Sequence, residues 1–506
     1  MKTVTADSNG MTAATVLQRP PVNATTGKAG RRLASAATIL GGALSFSALA
    51  LSSAQFYRVS GATLGPGAFM LSIPKILSGS LAPFIGVAGA VGAACALSAR
   101  RLAHSERLEG AKASTPADKR MFGGGPSLAV LAGVTAAVMS TLYTKQVVTT
   151  HADFAAAFGA NWQAQIPTHL RDRLLPRRWT WRLAVAPGAH VERDVVFATI
   201  PGTDRKLLAD IWSPPDGVAA SGLGFIYLHG GGYSAFDKGG PTELWFRHLT
   251  AQGHVVMDVA YRLIPETNVP GMQEDVKRAI AWLKRNADRY GVNPDHIVLS
   301  GGSAGSHLAL LAAYAPYHPR LTPEDVRSMD LSVRGVIGYY NAGDYRQESK
   351  VALTPTALER AVARLLTNLL GRWSGAAIAV DDTGDWNPGV FVGGRPDEAT
   401  ELYRQITPVV HVGPATPPTP QLVGENDVYV ARSGAAAALH RKLQAAGVPS
   451  VYVVFPRTDH AFDMFLPALS PSAQTAMYHV DRFLALMAAP VERQTASLHV
   501  TEGVTQ

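Results

Sequence analysis

Two glycine-rich motifs in this chain could together assemble a centre for acyl transfer. The second motif, Gly301-Gly302-Ser303-Ala304-Gly305, follows the apolar run 297–300 and precedes the apolar run 306–313. The first run predicts a buried strand and the second a buried helix, so the chain must turn sharply at Ser303. Glycines on both sides remove Cβ atoms that would collide in such a turn, and the start of a helix favours negative charge. The motif therefore predicts a serine nucleophile on a strained turn.

The first motif, His229-Gly230-Gly231-Gly232, follows the strand-like run 224–228 and offers backbone N–H groups without side chains. A substrate oxyanion must approach its donors to about 3 Å, which side chains would obstruct. Gly231 and Gly232 are predicted to be the main donors of an oxyanion hole, and the N–H of Ala304 to be the third. Gly230 belongs to the supporting loop. His229 is interpreted as orienting that loop by hydrogen bonding, with a role as base as the alternative.

A serine hydroxyl is a weak nucleophile, so it needs a general base, which in turn needs an orienting carboxylate. His460 follows the strand-like run 450–455 and is the predicted base. Asp427 ends the turn after the strand-like run 418–423 and is the predicted acid, in the chain order serine, acid, histidine. Glu425 in the same turn, and then Asp459, remain alternatives for the acid.

The other chemistry-bearing residues are not expected to take part. His440 and His479 lie on predicted helices, and His307, on the helix after the serine, is predicted to point away from it. The chain has a single cysteine, Cys95, no His/Cys cluster with zinc spacing and no G-x-x-x-x-G-K-[ST] phosphate loop. A serine, an imidazole and a carboxylate need no cofactor for acyl transfer, so no cofactor and no metal are predicted.

Together with the Ala-Tyr-Arg-Leu-Ile-Pro-Glu stretch at 260–266, these motifs resemble the hormone-sensitive-lipase branch of the α/β-hydrolases over residues 191–489. The resemblance implies a carboxylic-ester hydrolase with an eight-stranded, mostly parallel sheet, helices on both faces and a cap. Three features depart from the family pattern. Ala461 follows the histidine where the family usually has glycine, Ile264 stands where its motif has alanine, and the segment 341–411 is longer than usual.

The residues alone also predict an α/β fold. Strand-like and helix-like runs alternate from Asp194 onward. Residues 275–283 place four apolar side chains on one helical face, and a second helix over 432–446 is closed by Gly447. Such alternation gives a parallel sheet covered on both faces, with the site at the carboxyl ends of its strands.

The chain before about position 150 has a different composition. Residues 33–54, 76–99 and 122–144 are uncharged and long enough to span a bilayer, and they are rich in Gly, Ala and Ser. They are therefore predicted to be transmembrane helices that pack closely in lipid. The run 61–74 is also uncharged but is too short, and too broken by proline and glycine, to be a fourth span.

The net charge of +8 comes from this region. Residues 1–145 carry 14 lysines and arginines against four acidic residues, whereas the remainder carries 32 against 34. We interpret the excess as a membrane-topology signal and not as a nucleic-acid-binding surface. The basic residues precede the first span and separate the second from the third, which predicts a cytoplasmic N-terminus and an extracytoplasmic hydrolase domain. If the first span is instead a cleaved signal peptide, as Ala48-Leu49-Ala50 would allow, the hydrolase domain lies on the same side.

The predicted organisation is a cytoplasmic tail at 1–32, a membrane region at 33–145, a linker or cap segment at 146–190, a hydrolase domain at 191–490 and a disordered tail at 491–506. The segment 146–190 carries tryptophans and arginines that suit either a cap or contact with a lipid surface. The helix-like run 356–373 is interpreted as packed on the core or cap, with a mobile lid as the alternative.

The predicted function is membrane-anchored hydrolysis of carboxylic esters through an acyl-serine, on lipophilic esters or lactones. Two other classes remain open. An acyltransferase or peptidase would use the same triad with another acceptor or leaving group, and a silent binding protein would keep the fold without the chemistry. The sequence does not predict the oligomeric state.

Overall fold

The structure is a computed structural model that describes residues 24–58, 66–108, 124–341, 389–395, 398–427, 429 and 434–490, with isolated helical positions at 357, 361, 362 and 365. The chain divides into two compact units. The first comprises residues 1–49 and 88–135, and the second comprises residues 50–87 and 136–506.

Four apolar helices lie before the sheet. They are α1 (Ala24–Ala54), α2 (Pro66–Ser80), α3 (Ala82–Leu108) and α4 (Gly125–Val148). Three stretches are long and apolar enough to cross a membrane, namely Arg32–Ala54, Ala82–His104 and Gly125–Val148.

The predicted second span, 76–99, begins before the candidate span in the structure. Residues 76–80 belong to α2, a separate helix of 15 residues, and the candidate span begins at Ala82. A helix of that length is too short to cross a bilayer. The side chain of Lys75 on α2 is buried within the second unit, so this part of the apolar sequence is held by protein contacts.

Glycines allow close helix packing within the first unit. A Cβ added at Gly41 of α1 would lie 2.7 Å from the backbone nitrogen of Ala96 on α3, and one at Gly133 of α4 would lie 2.4 Å from the carbonyl oxygen of Gly89. Neither distance leaves room for a side chain. This is the packing predicted from the Gly/Ala/Ser-rich composition.

The second unit contains an eight-stranded sheet in the order β1-β2-β4-β3-β5-β6-β7-β8. β2 pairs antiparallel with β1 and β4, and the other neighbours are parallel. The eight-stranded, mostly parallel sheet predicted from the sequence is confirmed. The strands are β1 His190–Thr199, β2 Lys206–Ser213, β3 Gly222–Leu228, β4 Val255–Ala260, β5 Val292–Gly302, β6 Gly335–Tyr339, β7 Thr419–Gly424 and β8 Ser450–Phe455.

Helices follow the strands along the chain, and their apolar faces pack on the sheet. Val276 and Ile280 of α8 (Val269–Arg285) are fully buried. Helix α13 (Ala435–Ala445) is followed by Gly447, which has a φ of 73°. The described helices are α5 Phe154–Phe158, α6 Thr168–Arg171, α7 Glu243–Ala251, α8 Val269–Arg285, α9 Ala287–Tyr290, α10 Ala304–Tyr314, α11 Gly389–Val392, α12 Thr400–Gln405, α13 Ala435–Ala445 and α14 Pro471–Met487, with 3-10 turns at Trp162–Gln165, Glu324–Val326 and Pro408–His411.

The segment between α4 and β1 packs against α14. The ring of Phe154 stacks on that of His479, with centroids 6.3 Å apart, and the indole of Trp179 donates to the carbonyl of Leu469 at 3.0 Å. The helix predicted over 356–373 lies outside the described residues except at its four isolated helical positions.

Several histidines are buried in the second unit, and three of them have strongly lowered pKa values. Burial lowers the pKa of His254 and His307 to about 4 and that of His479 to about 3. The ring of His307 receives a hydrogen bond from the hydroxyl of Tyr233 at Nδ1 (2.9 Å) and donates from Nε2 to the carbonyl of Ile406 (2.7 Å). These bonds fit the neutral imidazole, which holds one ring proton.

We predict that the full chain in detergent loses stability as the pH falls from about 6.5 to about 4. An unfolded histidine binds a proton near pH 6.5, whereas folded His307 does so only near pH 4, so the unfolded state binds more protons between these values and gains stability relative to the folded state. His307→Gln keeps a donor and an acceptor without titrating, and should flatten this dependence by up to about 1.4 kcal/mol per pH unit. Thermal unfolding of both proteins across this range would check it, and identical pH dependence would contradict it.

Candidate active site

Ser303 lies on the turn that joins β5 to α10. Its φ of 55° and ψ of −119° are strained for a residue with a side chain. A Cβ added at Gly305 would lie 2.0 Å from the carbonyl oxygen of Leu228, and one at Gly301 would lie 2.6 Å from the same atom. The glycines therefore allow the turn to sit against the end of β3, and the side chain of Ser303 remains partly exposed.

The loop after β3 runs beside this serine. A Cβ added at Gly230 would lie 3.5 Å from the Cβ of Ser303, and Gly231 and Gly232 have φ of 114° and 60°. Within the described part of the chain, the N–H groups of Gly231, Gly232 and Ala304 donate to no acceptor. Ala304 is the first residue of α10, where the N–H has no partner inside the helix. The three groups are available for an oxyanion.

His229 contacts its own loop. Its Nδ1 donates to the carbonyl of Gly230 at 2.7 Å, and its ring stacks on Tyr261 with centroids 4.4 Å apart. The hydroxyl of Tyr261 donates to the carbonyl of His229 at 2.7 Å. Burial lowers the pKa of His229, which favours the neutral ring. These contacts suit a residue that orients the glycine loop.

The imidazole of His460 meets the carboxylate of Asp427. Nδ1 donates to Oδ2 at 2.9 Å, and both side chains are buried. The other oxygen of Asp427 accepts the N–H of Tyr429 at 2.8 Å. With the proton of the neutral ring on Nδ1, Nε2 is free of hydrogen and can accept a proton.

The alternative acids bind elsewhere. Glu425 is exposed and accepts the backbone N–H of Arg457 at 2.8 Å. Asp459 accepts the backbone N–H of His460 at 2.9 Å and the ammonium of Lys75 at 3.3 Å. The carboxylate that orients the imidazole in this structure is that of Asp427.

Tyr340, directly after β6, links the serine turn to the histidine loop. Its ring centroid lies 4.7 Å from that of His460, and a Cβ added at Gly302 would lie 2.6 Å from its hydroxyl. The N–H of Ser303 donates to the carbonyl of Tyr339 at 3.1 Å. Both Ser303 and His460 lie in the described part of the chain, and no hydrogen bond joins the serine hydroxyl to the imidazole in this structure. Catalytic hydrogen bonds of this kind often shorten only when substrate binds.

The three histidines that were not predicted to take part contact other residues. His307 is held by Tyr233 and Ile406, and His479 stacks on Phe154. Nδ1 of His440 and the hydroxyl of Ser450 form a hydrogen bond at 2.8 Å, and the ring stacks on Tyr452.

The residues that surround the imidazole were not predicted from the sequence. Besides Tyr340, the ring of Tyr429 lies 4.8 Å from that of His460 and the ring of Phe69 on α2 lies 6.4 Å away. Asp463, next to Tyr340, has its pKa raised to about 6 by burial. The one signal in the sequence was Lys75, which is a lone charge in the otherwise uncharged helix α2.

Comparisons with known proteins find similarity to carboxylic ester hydrolases and esterases. The family model described as BD-FAE matches residues 209–443. The probable carboxylic ester hydrolase LipM of Mycobacterium tuberculosis is 31% identical over 278 residues, which cover 54% of this chain and 57% of LipM. Esterase LipQ of the same organism is 31% identical over 323 residues, which cover 62% of this chain and 69% of LipQ.

Among solved structures, the esterase Est2 of Thermogutta terrifontis is 23% identical with a TM-score of 0.44, covering 62% of this chain and 98% of that chain. The chain spans less than two thirds of the length of LipM.

We predict that Gly305→Ala destabilises the protein by about 3 kcal/mol, because the new methyl group would lie 2.0 Å from the carbonyl oxygen of Leu228 and the backbone must move. Gly188→Ala is the matched control, since no atom lies within 4 Å of the position that its Cβ would take. Thermal unfolding of the full chain in detergent would compare the two variants with the wild type. Equal unfolding midpoints for the two variants would contradict the prediction.

Proposed function

This chain belongs to the α/β-hydrolase esterase family that includes LipQ, and we propose that it is a serine carboxylic-ester hydrolase that works through an acyl-serine intermediate. The observation that carries the proposal is the buried bond from His460 to Asp427, at 2.9 Å, near a serine turn flanked by unpartnered N–H groups. LipM is named as a probable carboxylic ester hydrolase and LipQ as an esterase, and both names support the same reaction class.

In the first half-reaction, Ser303 Oγ attacks the ester carbonyl while Nε2 of His460 takes its proton. This step requires the two side chains to approach each other when substrate binds. The carboxylate of Asp427 stabilises the imidazolium that forms. The N–H groups of Gly231, Gly232 and Ala304 donate to the tetrahedral oxyanion, and the imidazolium gives its proton to the departing alcohol.

In the second half-reaction, His460 takes a proton from water as the water attacks the acyl-serine. The same amide groups stabilise the second oxyanion. The proton returns from the imidazolium to Ser303 Oγ, so the free acid leaves and the enzyme is restored. His229 holds the glycine loop in the required orientation through Gly230.

The substrates that we propose are lipophilic esters or lactones. Three helices long enough to cross a membrane precede the sheet, and they would hold the site near lipid. The apolar ring of Phe69, from the helix between the first two candidate spans, lies beside His460. Both features favour an apolar acyl group over a charged one.

We also propose that the three helices span a membrane and that the site faces the extracytoplasmic side. The support is the basic excess of residues 1–145, placed before the first span and between the second and third. A phosphatase reporter that is active only outside the cytoplasm should be active when fused after Lys145. Activity of a cytoplasmic reporter at the same junction would contradict this orientation.

The enzymatic proposal predicts distinct effects for two neighbouring carboxylates. Ser303→Ala should reduce hydrolysis of p-nitrophenyl esters to background, and Asp427→Asn should lower kcat by about 10³- to 10⁴-fold because the imidazole loses its orienting carboxylate. Glu425→Gln, in the same turn but exposed, is the matched control and should stay within about twofold of the wild type. Assays of the full chain in detergent with esters of increasing chain length would test this. Full activity in Ser303→Ala would overturn the proposal.

A further inference from the structure

Helix α2 places a buried ammonium against the loop that carries His460. Nζ of Lys75 lies 3.3 Å from Oδ2 of Asp459, and the two side chains are 4% and 0% exposed. The other residues of α2 are uncharged. A buried charge of this kind is costly unless it is paired, so the pair fixes how α2 sits on the loop.

The carboxylate of Asp459 bridges the ammonium and the proposed base. While Oδ2 binds Lys75, Oδ1 accepts the backbone N–H of His460 at 2.9 Å. Two hydrogen bonds therefore connect Lys75 to His460 through Asp459, and all three residues are buried.

The same helix also reaches the other side of the imidazole. The ring of Phe69 meets the ring of His460 edge-on at 6.4 Å, and a backbone hydrogen bond joins Phe69 to the hydroxyl of Tyr429. The N–H of Tyr429 in turn donates to Asp427. Thus α2 contacts both the loop of the base and the loop of its carboxylate.

Two buried carboxylates, Asp427 and Asp459, flank the imidazole, and Asp459 binds the ammonium of Lys75. The pKa of Asp459 is raised, chiefly by burial. The charge of Lys75 opposes this rise, and that of Asp427 adds to it. The pKa of Lys75 is lowered, chiefly by burial, and the charge of Asp459 opposes this change. Among the described residues, the other titratable groups around Lys75, Asp459, Asp427 and the imidazole include Tyr143 on α4, Arg58, Glu425, Arg457, Tyr429, Tyr340 and Asp463.

We propose that Lys75 is a positioning residue for His460, which acts through Asp459. It holds that carboxylate in place and compensates its negative charge beside the imidazole, so that the histidine loop is anchored. The inference rests on the proposed function, in which His460 is the base. It also implies that the fold from β1 to α14 is electrostatically incomplete without α2.

The test is the pH dependence of the rate at which a fluorophosphonate labels Ser303 in the full chain in detergent. In Lys75→Met the uncompensated carboxylate stabilises the imidazolium, so the midpoint of the rise in rate should move up by about one pH unit. In Asp459→Asn the ammonium is left uncompensated, so the midpoint should move down by a similar amount. In the double variant, which removes both charges and keeps an oxygen for the N–H of His460, the midpoint should return close to that of the wild type.

Two matched variants separate charge from packing. Lys75→Arg keeps the charge and should keep the wild-type midpoint. Lys277→Met removes another buried ammonium, one that binds the carbonyl of Ala315 and the hydroxyl of Thr322, and it should also leave the midpoint unchanged.

The outcomes are distinguishable. Midpoints of Lys75→Met and Asp459→Asn that coincide with the wild type, or that move in the same direction, would overturn the inference. If Lys75→Met does not fold, folding of the double variant would support it, because only the unpaired carboxylate differs. If neither Lys75→Met nor the double variant folds, Lys75 acts through packing and the inference is overturned. Absence of labelling in the wild type would instead overturn the proposed function.

Discussion

The close approach of the β5–α10 turn to the end of β3 is the constraint on which the site depends. Space for it exists only because Gly301 and Gly305 have no side chains facing the carbonyl of Leu228. The same approach brings the glycine loop after β3 alongside Ser303. A strained backbone at the serine and a set of unpartnered N–H groups thus arise from one packing requirement, and the parallel sheet holds both in place.

The base side of the site is built differently, from buried charge. His460 lies between Asp427, which accepts from its ring, and Asp459, which accepts from its backbone. The negative charge of two buried carboxylates near one imidazole needs compensation. The ammonium of Lys75, which precedes Asp459 by 384 positions in the sequence, supplies it. The apolar N-terminal region therefore contributes to the electrostatics of the site as well as preceding it in sequence.

The serine turn, the glycine loop and the sheet could be predicted because each is encoded by a local pattern of strand, glycine turn and helix. The choice between Asp427 and Glu425 needed coordinates, since both lie in one short turn. The role of Lys75 could not be predicted because its partner is remote in the sequence and its surroundings resemble a membrane span. Ala461 has a φ of 55°, a conformation that glycine favours, so the backbone there keeps the geometry despite the different residue.

The central claim is that an ester transfers its acyl group to Ser303. The most direct measurement is peptide mapping by mass spectrometry of the full chain, quenched in acid during turnover of a p-nitrophenyl ester. The account predicts an added acyl mass on the peptide that contains Ser303, and none in Ser303→Ala. An acyl group on another side chain, or hydrolysis that continues in Ser303→Ala, would contradict it.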